Sequence, residues 1–346
     1  MVMTQVLRTL TTLILWLYTM LLSTWWGIQW FVGDTLWWVA LIRSFTPLLF
    51  LPLLFFWPIG LWVRRPTYWL GILLPTTLFL ALYGCLFVPR SKPPYEATVP
   101  TLRIMTFNLW GGSYRERTPR VILQNDLPDL VALQEVTPLL QRLLRRTVGQ
   151  HYPYIIFDNT IGGRGLGLLS RYPVERLPSE LLIDLSCRQY RVTIDSRHRF
   201  RLYNCHPYST NVLYAFDDLP AVIQRTGETF HLRTLLSEHL VQEIQTNTEP
   251  TIVVGDFNTT DQSDAYHRLR AVLADAHRAV GWGFGHTFPA RTGFSRGIPI
   301  LSRQVRIDMV LYTAEFVALQ TQVSATHGES DHYPFLATLG WRHVGQ

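Results

Sequence analysis

The sequence predicts an α/β domain of two packed mixed sheets covered by helices, preceded by transmembrane helices. Three observations lead there. The first 90 residues are almost wholly apolar, with nine of the twelve tryptophans. The remainder alternates many short β-branched runs with a few amphipathic segments, which suits mixed sheets under helices. Polar residues recur at the ends of those runs.

Residues 9–33, 45–63 and 66–89 carry no charged side chain and lie between Arg8 and Asp34, Arg43 and Arg64, and Arg65 and Arg90. Each approaches or exceeds the roughly 20 residues needed to cross a bilayer core. Three spans are expected within a membrane anchor over 1–90, or two if the middle segment, with Pro47, Pro52 and Pro58, is re-entrant rather than kinked. The first is too long and too tryptophan-rich for a cleaved signal peptide. Arg64 and Arg65 in a short loop favour the cytoplasm for that loop, which puts the large domain on the extracytoplasmic side of a plasma or inner membrane; Arg90 and Lys92 argue for the opposite side, and the first orientation is preferred. Spans without ionisable groups argue against a transport pathway. Residues 91–100, SKPPYEATVP, read as an extended linker to a domain over 101–346.

Of the formal net charge of +6, +5 lies before position 93, flanking the apolar segments. From position 93 onward there are 25 basic and 24 acidic residues, so no basic stripe marks a nucleic-acid footprint. Arg142, Arg145 and Arg146 read as a solvated helix face. The three cysteines lack zinc-type spacing. Cys187 and Cys205 face each other across an expected hairpin turning near Ser196; a disulfide is open to them in an oxidising compartment, and two reduced thiols are the preferred reading.

Strands are expected at 102–110, 129–136, 154–157, 165–169, 181–185, 189–195, 199–206, 251–256, 305–312, 316–323 and 335–339. Helices are expected at 117–125, 138–148, 229–246 and 264–276. The segment TIVVGDFN at 251–258 runs four apolar or β-branched residues into Gly255, Asp256 and Asn258. Side chains alternate along a strand, so Asp256 and Asn258 share a face if strand geometry persists. GGRGLG at 162–167 reads as a loop before a strand, because no strand–loop–helix unit follows it. His151, His198, His231, His239, His267, His277, His327 and His343 are read as surface residues.

Asn108, Glu135, His206, Asp256 and Asn258 each sit at or just after the end of an apolar strand. Asp308 interrupts a strand, and Asp331 and His332 precede one. A buried charge must be paired, so polar groups at so many strand ends need a common cause. One divalent cation and one phosphate would supply it. Each residue also has a structural alternative. Asn108 could cap a turn, Glu135 could favour the helix after Pro138, Asp308 and His332 could be a structural pair, and His206 could be a turn residue.

The pieces TFNLW, LQEV, GLLSRYPV, NCHP, GDFN, RIDMVL and SDHYP, with HTFP at 286–289, come in an order that resembles the endonuclease/exonuclease/phosphatase family over about residues 101–340. The apolar leader resembles those of some membrane-anchored bacterial members. The resemblance implies a four-layer α/β sandwich and a Mg²⁺-dependent phosphoesterase, with Mn²⁺ or Ca²⁺ as other candidate ions. It implies metal ligation by Glu135, with Asn108 and Asp331 close by, directly or through water. Asp256 and Asn258 would orient the attacking water and hold phosphate. His332 would contact the phosphate or act as base, with Asp308 fixing its tautomer. His206 would stabilise a phosphate oxygen or the leaving group.

Near-neutral charge and tethering lean towards lipid head groups or small phosphodiesters, with nucleic acid as the alternative substrate. The N-terminal helices imply the lipid bilayer as a partner, and no feature points to a protein partner. A non-catalytic binding module on the same fold is the competing class. Retention of eight polar residues argues against it.

Overall fold

The computed structural model describes residues 2–88, 100–111, 116–158, 165–178, 183, 186–210, 219–295 and 298–342. The chain forms two compact units, Met1–Pro89 and Arg90–Gln346. The expected linker at 91–100 lies, apart from Pro100, outside the described residues.

In the first unit, Val2–Val32, Thr46–Val63 and Pro66–Phe87 are long and apolar enough to cross a membrane. Backbone groups in lipid must be paired within the segment, and helices achieve that. Pro58 lies inside the helix Leu53–Val63, and a 3₁₀ turn at Thr46–Phe50 precedes it. A further helix, Trp37–Ser44, returns the chain after the first span. The flanking charges Asp34 and Arg43 pair at 2.7 Å, both buried within this unit.

The second unit contains two six-stranded mixed sheets. The first sheet uses β1 (Thr101–Asn108), β2 (Leu130–Val136), β3 (Tyr154–Asp158), β4 (Gly165–Ser170), β13 (Phe316–Val323) and β14 (Phe335–Trp341), in the order β13-β14-β1-β2-β4-β3. The second uses β5 (Val174–Leu177), β6 (Cys187–Thr193), β7 (Arg199–Cys205), β8 (Thr251–Asp256), β9 (Ala274–Asp275) and β12 (Asp308–Tyr312), in the order β5-β6-β7-β8-β12-β9. A two-stranded ribbon, β10 (Gly293–Ser295) with β11 (Ile298–Ile300), stands apart. β1–β2 and β7–β8 are the parallel pairs at the sheet centres.

The strand period of two builds the layers. Ile104, Leu130, Ala132, Leu202, Ile252, Val254 and Val310 meet between the sheets. Their odd-numbered neighbours on the first sheet, such as Met105, Phe107, Val131 and Leu133, pack outward on α5 (Arg117–Gln124) and α6 (Pro138–Val148). Those on the second sheet, Tyr203, Val253, Met309 and Leu311, pack outward on α7 (Leu219–Thr246) and α8 (Asp264–Arg270). The result is helices, sheet, sheet, helices: a four-layer sandwich.

Several expectations need correction. The helix expected over 264–276 ends at Arg270. Ala274 and Asp275 instead pair with Tyr312 and Leu311, and the Asp275 carboxylate caps α9 (Ala276–Val280) by accepting from the His277 and Arg278 N–H groups. α7 starts ten residues before 229. Apart from Ile183, the strand expected at 181–185 lies outside the described residues, as do His343 and positions 162–164 of the glycine-rich segment. His277 is not a surface residue but is buried. Cys187 and Cys205 are not two thiols: they are direct register partners in the β6–β7 hairpin, Cα–Cα 4.0 Å apart, and form a disulfide.

Candidate active site

Strand parity aims most of the site. Asn108, His206, Asp256 and Asp308 all carry the parity of the inter-sheet core: Asn108 and Asp256 end their strands, His206 follows β7, and Asp308 does not interrupt a strand over 305–312 but opens β12. The second sheet places Asp308 directly opposite Asp256.

Glu135 has the wrong parity. An unbroken strand would send it outward beside Leu133 towards α6. The β2–β4 register shifts between Leu133 and Val136, and Glu135 adopts φ 54°. A bulge with a left-handed residue re-aims one side chain. The Glu135 carboxylate thereby accepts from Asn108 Nδ2 at 3.4 Å and from the Gly111 N–H at 3.0 Å.

Asp256 is the hub. Its Oδ2 accepts from Asn108 Nδ2 at 2.9 Å and lies 3.6 Å from both His206 Nε2 and His332 Nε2. Its Oδ1 accepts the Asn258 N–H at 2.9 Å. Strand geometry does not persist past Asp256, for Asn258 sits at φ 50°. The shared face is instead an Asx turn, in which Asn258 Nδ2 donates to the Pro207 carbonyl at 3.0 Å and approaches Asp256 Oδ2 at 3.5 Å. Asn108 turns its Oδ1 to the Trp110 N–H at 2.9 Å and so presents its nitrogen, not its oxygen, to the two acids.

His332 is buried, and its Nδ1 donates to Asp308 Oδ2 at 3.0 Å. Burial opposes its charge, but Asp308 and then Asp256 outweigh that cost and lift its pKa to about 10. Burial also raises the Asp308 carboxyl, against the pull of His332. Asp331 is raised by burial, with Glu135 and Asp256 adding repulsion. Its Oδ1 is buried without a hydrogen bond among the described residues, 4.0 Å from His332 Nε2.

This donor set fits a hard cation. An orphaned carboxylate oxygen beside two further acids is costly unless a positive charge joins them. Asp331, Glu135 and Asp256 could hold such an ion, with the Asn108 amide bracing two of them. Ligand atoms of Asp256, Asp308 and His332 also lie within 4.8 Å of one another. That trio already carries its own cation, because His332 is hydrogen-bonded to Asp308.

Some supporting residues carry no sequence signal of their own. The buried Ser330 hydroxyl donates to the Asn108 carbonyl at 2.6 Å and accepts the His332 N–H at 3.0 Å, which ties the loop before β14 to the end of β1. Thr287 Oγ1 accepts from the Ile307 and Asp308 N–H groups. The Phe288 ring packs on His332, centroids 4.7 Å apart. Buried Gln134 and Asn204 bridge the two sheets at 2.7 Å. All five lie within the segments quoted above, Ser330 in SDHYP, Thr287 and Phe288 in HTFP, Gln134 in LQEV and Asn204 in NCHP, yet nothing in those segments marks them apart.

Residues 105–332 match the model of the endonuclease/exonuclease/phosphatase family. No curated protein matches the sequence. Among solved structures, D. rerio TDP2 complexed with single-strand DNA product is 20% identical at TM-score 0.52, covering 69% of this chain and 98% of that one. An endonuclease/exonuclease/phosphatase family protein from Bacteroides thetaiotaomicron is 15% identical at TM-score 0.51, covering 72% and 100%. C. elegans TDP2 is 17% identical at TM-score 0.51, covering 77% and 80%. The sandwich, the converging acids and imidazoles at its edge, and the match over two thirds of the sequence lead to one assignment: the chain belongs to the endonuclease/exonuclease/phosphatase family, divalent-metal-dependent hydrolases of phosphate esters.

Proposed function

We propose a membrane-anchored phosphoesterase that cleaves a phosphodiester or phosphomonoester by in-line attack of water, using Mg²⁺ or a similar ion. The carrying observation is the convergence on Asp256 Oδ2 of Asn108, His206 and His332, from three separate stretches of chain. Glu135, Asp331 and Asp256 would hold the ion. When bound, it offsets charge on the phosphoryl oxygens and acidifies water. Asp256 takes the proton of the attacking water. His332, braced by Asp308, donates to a phosphoryl oxygen, and His206 serves a second oxygen or the leaving group. Donors aimed at developing charge contribute most of the acceleration in this class of chemistry.

Apolar helices and a near-neutral second unit favour a lipid head group or a small phosphodiester over a long polyanion. A nuclease is the second reading; the D. rerio neighbour holds a DNA product. The Cys187–Cys205 disulfide supports an oxidising, extracytoplasmic location.

The test is hydrolysis of bis-p-nitrophenyl phosphate by the full chain in detergent with Mg²⁺, then a screen of sphingomyelin, phosphoinositides, DNA and RNA. Activity abolished by EDTA and by Asp256→Ala is the expected result. A wild-type protein inert towards every phosphate ester, with Mg²⁺, Mn²⁺ or Ca²⁺, would leave the binding-module reading in its place.

A further inference from the structure

A second site stands beside the first. The segment Gly281-Trp282-Gly283-Phe284-Gly285-His286 alternates glycine with aromatic rings. His277 explains the glycines. Its buried imidazole donates from Nε2 to the Gly283 carbonyl at 2.9 Å. A Cβ at Gly281 would come 2.2 Å from its Nδ1, and one at Gly285 would come 2.5 Å from the ring. Gly283 and Gly285 take φ 69° and 66°. Only glycine lets the backbone lie this close to the imidazole and make those turns.

Trp282, Phe284 and His286 line a cleft of about 380 Å³ together with His277, Arg303 and, from β13, Thr321 and Gln322. Phe284 and His286 stack with centroids 5.0 Å apart and planes 15° apart. His286 Nδ1 donates to the Arg303 carbonyl at 2.8 Å, which pins this wall. Trp282 is 63% exposed, and Thr321 Oγ1 is buried without a hydrogen-bond partner among the described residues.

We infer that this cleft is a stacking subsite for a planar nitrogen heterocycle, the base of a nucleotide phosphate ester. An acyl chain would need an aliphatic lining, and among the described residues Val323 is the one aliphatic side chain at the cleft. A bare phosphate would gain nothing from an indole. A base gains ring faces, a guanidinium, an amide and an unpaired hydroxyl together. The walls are continuous with the reactive centre: Phe288 packs on His332, and the Arg303 guanidinium lies 3.8 Å over the ring of Tyr333. A nucleotide whose phosphate meets His332 would lay its base beyond Phe288.

The binding arm of the test is independent of catalysis. Full-length protein in detergent with EDTA is titrated with adenosine, which has no phosphate. Saturable binding that weakens in Trp282→Ala and is retained in Trp282→Phe supports the subsite. Binding absent in the wild type, or equal in Trp282→Ala, overturns it. The kinetic arm rests on the phosphoesterase reading above. It compares thymidine 5′-(p-nitrophenyl phosphate) with methyl p-nitrophenyl phosphate, which share a leaving group and differ in the base. Trp282→Ala should lower kcat/KM for the nucleoside ester by roughly 5- to 150-fold, the range of base–aromatic stacking, and leave the methyl ester unchanged. Equal loss on both esters would overturn the subsite. Adenosine binding without hydrolysis of either ester would sink the phosphoesterase reading and keep the subsite. Competition by dinucleotides and by single-stranded DNA then separates a small-nucleotide source from a polymeric one.

Discussion

Asn108 Nδ2 donates to Asp256 Oδ2 at 2.9 Å across 148 positions of sequence, joining the end of β1 in one sheet to the end of β8 in the other. The same nitrogen approaches Glu135 Oε1 at 3.4 Å, so one amide braces two carboxylates that would otherwise repel. An Asn108→Ala variant removes that brace without touching an acid. Hydrolysis is expected to fall by at least about 100-fold, the scale for losing one oriented polar group at a reacting phosphate. Unchanged kcat would mean that the acids hold their geometry alone.

Asp256→Ala and His332→Ala each remove a group placed at the reacting phosphate, and losses of roughly 10²–10³ or more in kcat are expected. Effects of groups acting as a unit do not add, so the double variant should be little worse than either single one. Steady-state kinetics of the three proteins decides this, and multiplicative losses would show that the two act independently.

Glu135→Gln keeps the shape and removes the negative charge of that ligand. The Mg²⁺ concentration for half-maximal activity should rise by about 10-fold or more. The ion binds the folded chain alone, so Mg²⁺ should raise the wild-type Tm, and this gain should shrink in Glu135→Gln and Asp331→Asn. Identical Mg²⁺ titrations in wild type and variants would remove these residues from the metal site.

Asp275 and Arg306 form a buried pair at 2.7 Å in which Tyr266 also donates to Asp275. Burial opposes the Asp275 charge, but Arg306 prevails and holds the carboxyl at about 2. Asp275→Ala leaves a buried guanidinium unpaired and should cost about 3–5 kcal/mol. The Asp275→Leu/Arg306→Met double variant should recover most of that loss in a denaturation curve, because an apolar pair has no charge left to desolvate.

Acid should unfold the second unit through His277. Burial, and then Arg306, depress its pKa from 6.5 to about 4. The unfolded chain therefore binds this proton first, and the stabilisation from keeping the ring neutral is full above pH 6.5 and lost as pH falls towards about 4. Roughly 3 kcal/mol is at stake. Asp275 fades only below 3.8, so the two windows are separate. The thermal midpoint followed from pH 7 to pH 4 should drop steeply in the wild type and less in His277→Gln. A flat wild-type profile would contradict the buried neutral ring.

Several features could be read from the sequence alone. Apolar length determined three candidate membrane spans, because hydrocarbon thickness sets a minimum segment length. Most strands were legible because a period of two must be kept wherever one face is buried, and β13 and α6 fall on their expected limits, 316–323 and 138–148. Apolar runs with a polar residue at their close marked Asn108, His206 and Asp256 at or just past strand ends, whereas Asp308, expected inside a strand over 305–312, begins β12. Local pattern could not show Glu135 turned inward, since its strand parity points outward and only the β2–β4 register shift reverses it. Neither could it show that 264–276 breaks to pair with β12, that the facing Cys187 and Cys205 are joined as a disulfide, or that His277 is buried against Gly281 and Gly285. Those outcomes depend on partners far along the chain, and a residue's neighbours in sequence carry no record of its neighbours across a sheet.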